Sequence, residues 1–283
     1  MKIERIRFPD LRNARPPRLD RQLLLVALCF SFCWIPVGRA DDWQSTLTKN
    51  PPGEFPPLRP LRAKYIFGWS GFTAATGEVH YTKSPDNRSQ LDGKGGTLGL
   101  PRFLWKLDAT YSAVTETDSL RPIEVKQNEA YRYKKIVTHL TFKGNSVKSD
   151  RLDGNRPETR DFSFPGLFDL WSAMLYLRSQ PLKERSVYRT VVYPGKNAYL
   201  VTVTVLGREK IAVRAGHYNA IKLDLKLQRV GQDLQLEPYR KLRRATLWVG
   251  DDTDRLLLRV EAQIFVGTIF TELQSVRYET PKA

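Results

Sequence analysis

The segment FPGLFDLWSAMLYLRSQPL, Phe164 to Leu182, spaces its polar side chains as a small site would. Asp169, Ser172 and Tyr176 stand at i, i+3 and i+7, on one narrow strip of an otherwise apolar helix. A carboxylate and two hydroxyls beside Trp171 and Met174 supply a few polar anchors in an apolar setting, the usual make-up of a ligand pocket. On this reading the candidate ligand-binding residues are Asp169, Trp171, Ser172, Met174 and Tyr176. A second reading stands beside it. Asp169 in the first turn complements the helix dipole, and the two hydroxyls bond to neighbouring strands, because buried polar groups need partners in any case.

Other reactive side chains form no constellation. His80, His139 and His217 are far apart in sequence, without the spacing of metal ligands. The acidic run GDDTD, with Asp251, Asp252 and Asp254, lacks the twelve-residue loop and distal Glu of a calcium site and reads as a hairpin turn. GWSGF around Ser70 is not spaced as a nucleophile elbow, and DGKGGTLGL lacks the Lys-Ser/Thr ending of a phosphate-binding loop. Both read as loops or bulges on a bent sheet. Glu209, Glu261 and Glu272 fall on separate strands among basic residues and read as ion pairs. No catalytic residue, metal ligand or cofactor site is assigned from these patterns, and a non-enzymatic role is the expectation.

The elements that must position the strip are strands. FLWKLDATYSA puts Phe103, Trp105, Leu107, Ala109 and Tyr111 on one face, and IVTHLTF does the same for Ile136, Thr138, Leu140 and Phe142. AIKLDLKLQ alternates Ile221, Leu223, Leu225 and Leu227 with charged or polar residues, the mark of an antiparallel sheet wet on one face. The expected fold is mainly β: a curved antiparallel sheet or half-barrel with one short buried helix over about residues 166–178. That helix starts after Pro165-Gly166 and is stopped by Pro181. Its face of Leu167, Leu170, Trp171, Met174 and Leu177 is expected to fill the concave side of the sheet.

The chain begins with a basic segment and an apolar run of roughly 15 residues that ends in GRA, the order of a cleaved secretory signal. Residues 1–40 are read as signal peptide, residues 41–62, with NPPGEFPPLRPLR, as a Pro-rich extended leader, and residues 63–283 as one β-rich domain. The localisation expected is the periplasm. An uncleaved anchor in the inner membrane is the alternative, although the run is short for a span of about 20 residues. Cys29 and Cys33 both lie in the apolar run, so the mature chain has no thiol for disulfides or metals. Cleavage takes eight basic and three acidic residues and lowers the net charge from +16 to +11. A basic exported surface favours anionic partners such as lipid or lipopolysaccharide. No nucleic-acid-binding motif accompanies the charge, and nucleic acid is not an expected partner.

At DLWSAMLYLRSQPL, at YLVTVTVLGREKIAVRAGHYNAIKLDLKL and at ATLWVGDDTDRLLLRVEAQIFVGTIFTEL, the chain resembles the exported bacterial proteins grouped as domain of unknown function 3108. The early GEVHY strand and SLRPIEV are similar too, and the likeness runs from about Lys64 to Tyr278. Where members carry a Gly soon after the helix-terminal PL, this chain has Lys183, Glu184 and Arg185. The resemblance implies a fold like the half-barrels of periplasmic lipoproteins and lipid carriers, and it implies no catalytic residue. The function expected is a binding or carrier module for an apolar or lipidic ligand or an envelope protein partner. Two alternatives remain open: an envelope-modifying hydrolase or transferase using Asp169 or Glu209, and a scaffold in an envelope complex.

Overall fold

The computed structural model describes residues 42–239, 244–264 and 267–279. The expected signal peptide lies outside the described residues. The fold described is that of the unit Thr46–Ala283.

One large sheet dominates it. Eight strands form a meander in chain order: β1 (Leu61–Trp69), β2 (Phe72–Ser84), β3 (Arg88–Thr97), β4 (Leu107–Glu116), β5 (Pro122–Tyr131), β6 (Lys135–Lys143), β7 (Ser146–Asp153) and β8 (Arg156–Ser163). The second half adds β9 (Leu167–Phe168), β10 (Val187–Val192), β11 (Ala198–Val213), β12 (Gly216–Val230), β13 (Leu236–Pro238), β14 (Arg244–Gly250), β15 (Leu257–Ile264) and β16 (Gly267–Tyr278). The first and last strands join the halves, β1 pairing antiparallel with β16 from Leu61–Tyr278 to Trp69–Ile269. All pairs are antiparallel except the short β9–β10 pair.

Residues 193–197, between β10 and β11, bring the two edges of the sheet together. Ser149 Oγ donates to the Gly195 carbonyl at 2.7 Å, Lys196 pairs with Glu158 at 3.0 Å, and the Phe162 and Tyr193 rings stack. The sheet is therefore a nearly closed, barrel-like wall, as edge strands left open would invite unwanted pairing.

Sequence alternation holds where neighbours pack on one face only. On β6, Ile136, Thr138, Leu140 and Phe142 are all buried. Two expectations need correction. Phe103 and Trp105 are not on a strand: Gly99–Leu104 forms a short helix, α1, with Pro101 in its first turn, where a missing N–H costs nothing. DGKGGTLGL is not a loop, since Gly93, Gly95 and Gly96 lie within β3. A Cβ on Gly95 would sit 2.7 Å from the Thr76 carbonyl oxygen, so a close approach of strands explains the glycine. Ser70-Gly71, by contrast, is a two-residue hairpin with positive φ at both positions, 46° and 89°.

The helix, α2 (Leu170–Ser179), sits where β8 hands over to β10. After it, Leu182 and Arg185 take left-handed φ of 49° and 64° without being glycine. An L side chain in that conformation costs about 1–2 kcal/mol.

Candidate functional site

Asp169 makes α2 start where it does. Its carboxylate accepts from the Trp171 N–H at 2.7 Å, and Ser172 Oγ accepts from the Asp169 N–H at 3.0 Å, a reciprocal cap at the helix entrance. Tyr111 of β4 donates its hydroxyl to the same carboxylate at 3.1 Å. Burial pushes the Asp169 carboxyl above its usual range, against the opposing pull of these donors. One turn on, the Tyr176 hydroxyl donates to the Asn50 carbonyl at 2.8 Å, and Ser179 Oγ accepts from the Gly53 N–H at 3.0 Å. Asp169, Ser172, Tyr176 and Ser179 are all buried, so the polar strip is the face of α2 that packs against the Pro-rich segment and β4. Leu58, at the end of that segment, joins the core.

The apolar side of the helix meets a cavity. Leu170, Trp171, Met174 and Leu177 line a space of about 460 Å³, closed on other sides by Tyr65 and Phe67 of β1, Val79 and Tyr81 of β2, Leu91 of β3 and residues of β14 and β15. Trp171 and Met174 are half-buried on this wall. The expected inward face is thus only partly packed, and Leu170 is 53% exposed, contrary to the periodicity argument. The physical reason is the cap: with Asp169 and Ser172 held inside by the helix entrance, the opposite side of the cylinder must look into the hollow. Of the five residues proposed from the sequence, Trp171 and Met174 line the cavity together. Asp169, Ser172 and Tyr176 lie on the other side of α2, with their polar atoms bonded within the fold.

The wall is almost entirely aliphatic and aromatic, and its polar atoms are mostly satisfied. Tyr65 donates its hydroxyl to the Leu257 carbonyl at 3.0 Å. The Trp171 indole Nε1–H is an exception, buried and without a hydrogen-bond partner among the described residues. Of the lining side chains, Phe67 (39%) and Leu170 (53%) alone are exposed. Phe67 lies two residues before the end of β1, so the cavity opens toward the end that carries the β1–β2 hairpin.

At the opposite end, charge seals the wall. Arg59 clasps the Asp254 carboxylate at 3.0 and 2.5 Å, and Arg178 donates to the carbonyls of Asp254 at 2.6 Å, Thr253 at 2.7 Å and Pro56 at 2.5 Å. Arg255 donates to the carbonyls of Arg178 and Gln180 at 2.7 and 2.5 Å and lies 3.5 Å over the Phe55 ring. Burial raises the Asp254 carboxyl, and Arg59, Tyr278 and Arg178 outweigh it, holding the group below its ordinary range. Sequence reasoning found GDDTD as a turn, which it is, between β14 and β15, but not this cluster. Its partners lie up to 195 residues apart, and no local pattern announces them.

Titratable groups elsewhere are paired rather than convergent. Glu209 accepts from Trp248 Nε1 at 2.6 Å and pairs with Lys222, Glu272 pairs with Arg259 at 2.9 Å, His80 faces Glu279, and His139 faces Glu124. Among the described residues no three His, Cys, Asp or Glu side chains are placed to hold a metal ion. No helix among them is long and apolar enough to cross a membrane.

The architecture is that of a barrel-like β protein with a helix inside one seam and an apolar hollow beside it. The chain belongs to the family described as "Protein of unknown function (DUF3108)", which it matches over residues 64–274. Among solved structures it is similar to a beta-barrel-like protein of domain of unknown function DUF1849 from Brucella abortus, with a TM-score of 0.58 and 11% identity over 80% of this chain and 100% of that one. That likeness concerns the fold. Fainter likenesses reach a lipoprotein candidate from Parabacteroides distasonis (TM-score 0.33, 9% identity, 81% of this chain and 100% of that one) and an exported-protein candidate with a YmcC-like fold from Bacteroides fragilis (0.31, 7%, 79% and 98%). No curated protein matches the chain.

Proposed function

We propose that this protein is a non-enzymatic binding or carrier module of the cell envelope, exported by its first 40 residues, that holds one apolar ligand such as an acyl chain. The observation that carries the reading is the hollow beside α2: about 460 Å³ of apolar wall, within the range of small-ligand sites, with a mouth at Phe67 and Leu170. A core meant only to be filled would be packed to a density that leaves few voids larger than a water.

The test is displacement of a fluorescent fatty acid from the purified mature protein by palmitate. Wild type is expected to bind one equivalent, and Met174→Trp, which fills the hollow from the helix side, is expected to bind at least tenfold more weakly with an unchanged circular dichroism spectrum. No binding by wild type to saturated fatty acids of 12 to 18 carbons overturns the reading, as does equal binding by a folded Met174→Trp.

A further inference from the structure

The end of the barrel around the cavity mouth is unlike the rest of the surface. Three connections lie side by side there, because the ladders align their strand ends: Trp69 pairs with Phe72, Gly96 with Asp108, Leu107 with Tyr131 and Ala130 with Lys135. The β3–β4 connection carries α1, whose Leu100 (81%), Phe103 (75%) and Leu104 (84%) stand in solvent. The β1–β2 and β5–β6 connections add Phe72 and Tyr133, both largely exposed. Apolar side chains this exposed and this close together mark a contact surface rather than scattered exposure.

Cations accompany them. A cleft of about 470 Å³ between α1 and the β5–β6 turn is lined by Leu104, Trp105, Tyr131, Tyr133 and Ile136 together with Lys106, Arg132 and Lys134, and by no acidic residue. Lys134 is paired with Asp153, and Arg132 lies over the Phe103 ring at 5.8 Å. Lys106 and Lys135 are exposed and form no ion pair among the described residues. Leucine and aromatic tips with lysine and arginine around them match both layers of an anionic bilayer surface: rings and leucines at the acyl boundary, cations at the phosphates.

We propose that this end docks onto an anionic phospholipid bilayer, with Leu100, Phe103 and Leu104 inserted at the interface and Lys106 and Lys135 at the headgroups. The cavity mouth at Phe67 lies toward the same end, so docking presents it to the lipid; that last step rests on the carrier reading, whereas docking itself does not.

Co-sedimentation of the mature protein with unilamellar vesicles tests it, using mixed phosphatidylglycerol and phosphatidylethanolamine against phosphatidylcholine alone. Wild type is expected to bind the anionic vesicles, less so as salt rises. The combined Leu100→Ser, Phe103→Ser and Leu104→Ser variant should bind at least tenfold more weakly with an unchanged melting midpoint, and the Lys106→Glu, Lys135→Glu pair should lose binding similarly. The same charge change at the far end, Lys143→Glu with Lys148→Glu, should leave binding within twofold. No binding of wild type to anionic vesicles, as a protein partner at this end would give, overturns the proposal. So does equal loss in the far-end pair, or full binding by the serine variant. The serine variant should still take up the fluorescent fatty acid, so failure of docking and failure of the carrier reading are separate results.

Discussion

The two ends of α2 are each held by a buried aspartate, and the two carboxylates are treated in opposite ways. At the entrance, Asp169 meets only neutral donors: backbone N–H groups and the Tyr111 hydroxyl. At the exit, Asp254 meets Arg59, with Arg178 and Arg255 tying the neighbouring carbonyls to the Pro-rich segment and the helix end. Burial disfavours charge at both, and only the second has cations to offset it, so Asp169 titrates high and Asp254 low. The entrance is thus a geometric device that sets the helix register, and the exit is an electrostatic clasp that closes one end of the cavity.

Breaking the clasp should have the largest effect. Arg178 serves three carbonyl oxygens, each 75 or more residues away from it along the chain, and so ties the helix end to the Pro-rich segment and the β14–β15 turn at once. Arg178→Met is expected to cost about 3 kcal/mol, the scale of charge-assisted bonds lost to partly buried acceptors. A urea midpoint within error of wild type would remove the clasp from the account of stability.

The entrance should be weaker and should show the opposite pH response. Asp169→Ala removes the cap and leaves the buried Tyr111 hydroxyl without its acceptor, a loss of about 2 kcal/mol. Asp169→Asn keeps an acceptor and removes the charge, so it is expected to stay near wild type at neutral pH. A carboxyl raised in the native state binds its proton more tightly there than in the unfolded chain. Its contribution therefore falls as pH rises from the ordinary carboxylate value through the raised one. Asp254, lowered in the native state, contributes stability above the ordinary value that is lost as pH falls toward the lowered one. Stability differences between wild type and Asp169→Asn, and between wild type and Asp254→Asn, should slope in opposite directions across these windows. Parallel slopes would contradict the contrast between the two ends.

Local signals in the sequence carried the strands and the stop of α2 before Pro181. Ile136 to Phe142 alternate because each strand has one neighbouring layer, whereas the helix start expected after Pro165-Gly166 falls later, at Leu170, because Leu167 and Phe168 pair with β10 and Asp169 is the cap. The orientation of α2 was not legible. A count of apolar positions points Leu170, Trp171 and Met174 at the core, but a cap whose carboxylate is held by Tyr111, 58 residues away, turns that face toward a hollow. The exposed α1 was missed for a similar reason. Phe103 and Trp105 alternate as a strand would, and the register of β3 with β4 begins only after Lys106.

The smallest effect separates a plug from a cavity wall. If Trp171 filled the barrel, its truncation to Ala would cost the 3 to 5 kcal/mol typical of a fully buried tryptophan. The indole is half-buried, packs at 5.5 Å against the Tyr81 ring on one side and borders existing empty space on another. Its Nε1–H has no partner among the described residues to lose. Truncation therefore enlarges a hollow instead of opening a new one, and about 1.5 kcal/mol is expected, roughly the share of contacts that the packed side supplies. Trp171→Phe should keep most of that packing and cost less than the truncation to Ala, and in the carrier reading it leaves uptake of a plain hydrocarbon probe unaffected. A loss above about 3 kcal/mol for Trp171→Ala would make α2 a plug, and the contrast between its two ends would then concern stability alone.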